Sequence, residues 1–216
     1  MLWVLAVLVP IWSGGELAGG LGLVIGVGIA LAVLVYARIV LPRSAHAAFD
    51  AGKYGGAARR YRVLQLVAVR SARARAAQLS RAGCFVAAGD VERADPLLAE
   101  IDDAALDSSE RAVWLNNRAC AALAAGRDPH AALVLADEAG ALRPDVPALQ
   151  HTRGMALLAV GRIDDAIAVL DGMRAGGELP TRLESDRCRD LARAWRQKGE
   201  SAYADDYQLR ADGMGR

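Results

Sequence analysis

ALAAGRDPHAALVL at residues 122–135 and LLAVGRIDDAIAVL at residues 157–170 are two copies of one pattern. In each, an apolar helix end meets a glycine, a short polar turn follows, and a second helix begins with alanine. Three weaker copies lie outward from this pair: FDAGKYGGAARRY at 49–61, FVAAGDVERADPLL at 85–98 and WRQKGESAYADDY at 195–207. Their glycines, Gly52, Gly89, Gly126, Gly161 and Gly199, are spaced by 37, 37, 35 and 38 residues, the period of helical repeat arrays. Counted from the glycine, Tyr54, Val91 and Ile163 recur two places on. Ala57, Ala94, Ala131, Ala166 and Ala204 recur five places on, and Tyr61, Leu98, Leu135 and Leu170 nine places on. Small alanines suit a close crossing of two helices, and a glycine supplies the positive φ that a tight helix end needs. No stretch after residue 44 alternates with period two, and Ala, Leu, Arg and Glu favour helix.

These residues make 41–210 resemble a tetratricopeptide (TPR) repeat array, whose unit is two helices in 34 residues. Arg153-Gly154 followed by Leu157 is the best echo of the family's first-helix pattern. Trp114 stands one residue early, and Trp195 replaces the usual Tyr. The second-helix pattern is kept as Ala166, Leu170 and Pro180, and as Ala131 or Ala132 with Pro144. The longer steps require about three added residues per unit. The resemblance implies an all-α protein with an α-solenoid over 41–216, about five units turning at 52, 89, 126, 161 and 199. It further implies a surface on the first helices that holds a peptide or helix of another protein. Gln78, Asn116, Asn117, Arg118, Gln150 and Arg153 are the candidate contacts, each with a merely solvated helix face as its alternative. The helices are expected near 54–70, 72–88, 91–104, 109–125, 129–141, 147–160, 163–175, 181–198 and 200–211, with Asp107 or Ser108 capping the helix that carries Glu110.

Residues 1–40 are a different material, with Glu16 and Arg38 as their only charges. The run Leu17–Ala37 holds 21 residues without a charge, and as a helix it spans roughly 30 Å, one bilayer core. We therefore expect a transmembrane anchor over 1–40. Two arrangements stay open. Residues 1–12 form a short first span and Ser13–Gly20 turns the chain, giving a hairpin, or residues 1–15 lie at the interface and one helix spans. Trp3 and Trp12 suit interfacial positions. The main helix, near 18–51, either continues into the first repeat or breaks at Pro42. Gly22 and Gly26 form a GxxxG spacing that lets membrane helices pack closely. Lys and Arg follow the span and none precedes it, so the repeats are expected in the cytoplasm beneath a bacterial inner membrane.

The whole chain is 54% hydrophobic, 5% aromatic and carries a net charge of +1. That balance excludes binding to nucleic acid through bulk charge. It hides a polarity. Residues 43–81 hold nine bases and one acid, whereas 82–120 hold eight acids and three bases. Arg59, Arg60, Arg62, Arg70, Arg73 and Arg75 are either a solvated face or a contact for anionic lipid, where each base contributes on the order of 1 kcal/mol.

Chemistry is sparse. Cys84, Cys120 and Cys188 have no metal-ligand spacing and read as buried free thiols. His46, His130 and His151 are scattered. Asp102-Asp103, Asp164-Asp165 and Asp205-Asp206 are adjacent on helices and point apart, a poor basis for acid–base work. We expect no enzyme activity, no cofactor, no metal and no small-molecule substrate. Two functions remain: a membrane-anchored interaction scaffold, or a structural subunit of a larger membrane assembly whose contacts run through the N-terminal helices.

Overall fold

The computed structural model describes the backbone of residues 2–214 and the side-chain environments of residues 9, 12, 20–22 and 24–214. All regular structure among them is helical. Leu2–Val35 form one helix, α1. The chain does not reverse at Ser13–Gly20, so the hairpin gives way to the single helix. A helix pairs the backbone of an apolar run internally, whereas a turn within it would leave N–H and C=O groups without partners in hydrocarbon. The placement of Trp3 lies outside the described residues. After α1 come a π turn, Tyr36–Val40, and α2, Leu41–Asp50. The break at Pro42 is absent too. Leu41 N–H donates to the Tyr36 carbonyl, five residues back. This wider turn accommodates a proline ring that would crowd the carbonyl four residues before it. By length and composition Gly20–Asp50 is able to cross a membrane, with a mean hydropathy of 2.5 in its most apolar window, 12% of which is buried.

Residues 1–88 and 89–216 form two compact units. In the first, α2 packs on α3 (Tyr54–Val67) and α3 on α4 (Ser71–Ala87). The second holds α5 (Val91–Ala99), α6 (Ser108–Ala124), α7 (Pro129–Leu142), α8 (Pro147–Ala159), α9 (Ile163–Gly172), α10 (Thr181–Gln197) and α11 (Ser201–Met214). There α6 touches α8 and α8 touches α10, so these first helices of successive pairs make one wall, with α7, α9 and α11 packed against it. The core between them is alanine and leucine: Ala119, Ala156, Leu157, Ala166, Leu170 and Leu191. α5 ends five residues sooner than expected. Asp102 accepts from the Ala104 N–H and draws residues 103–105 into a 3-10 turn instead.

All five repeat glycines have φ between 63° and 86°. At Gly52, Gly126, Gly161 and Gly199 the glycine N–H bonds the carbonyl three residues back, and the next N–H bonds the carbonyl five back. This Schellman closure satisfies two orphan carbonyls and reverses the chain in two residues. The alanine register needs one correction. Ala131 is exposed and Ala132 is buried. Asp128 caps α7 and Pro129 begins it, so this turn is one residue longer than the others. Counted from the helix start, the buried alanine is the fourth residue in every pair: Ala57, Ala94, Ala132, Ala166 and Ala204.

Asp107 caps α6 in a full capping box: it accepts from the Glu110 N–H at 2.8 Å, and Glu110 accepts from its N–H. Asp107→Ala is expected to cost about 1 kcal/mol. Urea unfolding of the detergent-solubilised chain, followed by circular dichroism, measures it.

Candidate protein-binding wall and basic corner

Polar groups collect along the wall of first helices. Asn116 and Cys120 stand one turn apart on α6, and the Cys120 thiol lies 3.2 Å from the Thr152 hydroxyl on α8. Next to Thr152, His151 Nε2 lies 3.0 Å from Asp190 Oδ2 on α10, too oblique for a good hydrogen bond. Asp190 also pairs with Arg193 at 3.3 Å. The Asn116 carbonyl oxygen is covered and has no hydrogen-bond partner. This is a spent acceptor in the free protein, and such groups normally find partners.

The other expected groove residues divide. Asn117 is buried. Arg118 is exposed and stacks over the Trp114 ring at 4.5 Å. Gln150 reaches the Pro144 carbonyl at 3.5 Å, and Arg153 pairs with Asp137 on α7. Gln78 belongs to the first unit and takes a 3.4 Å bond from Gln65. The wall therefore combines Asn116 with Thr152, His151, Asp190 and Arg193, four residues that sequence reasoning missed. Their signal was the repeat period. Cys120–Thr152 are 32 residues apart, and so are Asp95 and Arg127, which pair. Arg143–Ser109 and Lys198–Asp164 are each 34 apart. Polar residues one period apart face each other across neighbouring pairs.

In the first unit, Arg59, Arg62, Arg70 and Arg73 are exposed, and Arg60 and Arg75 half-buried. On α1, Gly22 and Gly26 lie one turn apart, followed by Ala30 at the same spacing. The large apolar side chains around them are exposed: Leu21, Val24, Ile25, Ile29 and Leu31.

Burial pushes the Cys84 thiol up to about 11 and also raises Cys120 and Cys188. Free thiols held this way are packing residues with little thiolate at neutral pH. Among the described residues no three His, Cys, Asp or Glu side chains gather in a metal-binding arrangement.

No family model and no curated protein matches the chain. Solved structures do. A kinesin light chain-like protein from Podosopora anserina, with nearly identical TPR-like repeats, superposes with a TM-score of 0.53 at 21% identity, over 83% of this chain and 95% of that one. A single-residue variant of it gives 0.54 at 20% identity over the same shares. The fold is a TPR-like repeat fold. Within it, the positive-φ glycines close each TPR-like pair, and Gly154 and Leu157 sit where the TPR-like first helix meets its second helix.

Proposed function

We propose that this protein is a membrane-anchored scaffold that binds a peptide or helix of another protein on the wall formed by α6, α8 and α10. Arrays of stacked helix pairs offer extended recognition surfaces. The observation that carries the reading is the Asn116 carbonyl, covered and unpaired on that wall beside the His151, Asp190 and Arg193 cluster. An extended peptide carries the N–H donors that such an acceptor lacks. α1 supplies the anchor, and the bases after it place the repeats in the cytoplasm by the positive-inside rule. No step in this reading needs catalysis.

The test is site-specific photo-crosslinking in cells. A photoreactive residue at Arg118 or Arg193, on the wall, is expected to give a protein adduct. One at Val134, exposed on the opposite helix α7, is expected to give none. Equal adducts at all three sites would defeat the wall as the recognition surface. Resistance to alkaline extraction tests the anchor, and a reporter fused after the last residue tests the topology.

A second reading has its own observation. In the second unit the exposed large apolar side chains are few, Val113, Val134, Tyr203 and Leu209, whereas the first unit exposes them along α1 and at the α3–α4 corner, Val63, Leu66 and Val69. A structural subunit would use that surface against neighbouring spans. Crosslinks from Gly26 to another membrane protein, with none from the wall, favour it.

A further inference from the structure

The first unit contains a cavity of about 870 Å³ between the end of the apolar helix and the α3–α4 corner. It falls in the range of ligand-sized sites, about 300–1,000 Å³. Leu34 and Ala37 form one wall, Leu64 and Val67 another, and Ala76 and Ala77 the third. Tyr61 closes the bottom. It is buried, and its hydroxyl lies 2.7 Å from His46 Nδ1. Arg38, Arg70 and Arg73 also line the cavity and are exposed, so they stand at its mouth. Among the described residues none of the three has an ion-pair partner. The sequence explains why: residues 1–88 hold ten bases and two acids, Glu16 and Asp50.

Position adds a second argument. Leu34, Ala37 and Arg38 are the last turns of the apolar run, so the mouth sits at the level where that run ends. Leu66 and Val69, at the corner beside it, are 64% and 77% exposed. Apolar side chains ringed by guanidinium groups at that depth match the boundary between acyl chains and headgroups.

We propose that this cavity is a binding site for one anionic phospholipid, its acyl portion between α1, α3 and α4 and its phosphate held by Arg38, Arg70 and Arg73. The site rests on the membrane reading of α1 and is independent of the protein-binding wall. It also separates the basic residues. Arg59, Arg60, Arg62 and Arg75 do not line it.

Native mass spectrometry of the full chain in detergent, titrated with phosphatidylglycerol and with phosphatidylcholine of the same chains, tests the site. The expected result is a single saturable phosphatidylglycerol adduct, at least about tenfold tighter than phosphatidylcholine. Arg70→Gln with Arg73→Gln is expected to erase that preference, two bases being worth roughly tenfold or more. Ala76→Trp, which fills the cavity from an exposed lining position, is expected to weaken both lipids. Arg59→Gln with Arg60→Gln is expected to change nothing. Equal loss in this last pair would reduce the effect to general surface charge and overturn the site. So would equal binding of the two lipids, or binding of soluble glycerol phosphate as tight as that of the lipid. A bound polypeptide that excludes phosphatidylglycerol would assign the cavity to a protein partner instead. Alkaline extraction of native membranes reports separately on the anchor, so failure there is distinguishable from failure of the pocket.

Discussion

Gly154→Ala is expected to destabilise the protein by about 1–3 kcal/mol, the cost of overpacking a tight core. The sign is the informative part, because Gly to Ala in an open helix gains roughly 1 kcal/mol. Gly154 lies on α8 where α9 crosses it. A Cβ there would come within 2.6 Å of Leu170 Cδ2 and 2.7 Å of its Cγ. Leu170 is fully buried in the alanine–leucine core and has nowhere to retreat. Gly140, whose added Cβ would meet only the Gln150 amide at 3.8 Å, is the control. Gly140→Ala is expected to be neutral or stabilising. Leu170→Ala should recover part of the Gly154→Ala loss, a coupling that a double-mutant cycle in urea unfolding reads directly. If Gly154→Ala stabilises the chain, the close crossing of α8 and α9 is wrong.

Arg187→Met should cost more, about 3–5 kcal/mol, as expected when one partner of a buried ion pair is removed. The Arg187 side chain is only 2% exposed. Its guanidinium holds the Glu184 carboxylate with two bonds of 2.8 and 2.7 Å. A third goes to the Leu170 carbonyl at 3.2 Å, and Asp171 lies 3.6 Å away. The arginine thus ties α10 to the end of α9. Tyr207 from α11 donates to the same Asp171 at 2.9 Å, which brings the third helix into the knot. Methionine fills most of the volume but leaves Glu184 and the carbonyl without a donor. Glu184→Leu added to Arg187→Met is expected to recover much of the loss, because the buried carboxylate then goes with its partner.

The same pair sets a pH dependence. The bonds from Arg187 hold the Glu184 carboxyl below its usual value. Its stabilisation is therefore fully present above the unfolded value of about 4.3 and is lost as pH falls through the lower folded value. The gap between native chain and Arg187→Met should be constant from neutral pH down to about 5 and narrow below about 4. A gap that widens on acidification would contradict the pairing.

The repeat glycines, the alanine at each crossing and the apolar run were legible in the sequence because each depends on local chemistry. Positive φ requires glycine, a close crossing requires a small side chain, and 21 residues without charge match a bilayer. One residue of loop was enough to shift the third alanine, since Asp128-Pro129 moved the helix start. The candidate wall was half legible. Asn116 was found from its residue type, but Arg153 was spent on Asp137, and His151 was dismissed as isolated because its partner lies on the next first helix. Arg187 looked like one more surface base in a run of charges. The Arg38, Arg70 and Arg73 cluster was invisible as a cluster, since 32 residues separate Arg38 from Arg70 and only the packing of α3 and α4 against the end of α1 brings them to one cavity. By itself, then, the sequence determined the helix-pair repeat, its turns and the apolar segment, all of which follow from short-range backbone and solvation preferences. The tertiary structure alone decided which charges are buried, which polar groups face one another and where the cavity opens, because those depend on distances between helices that no local preference specifies.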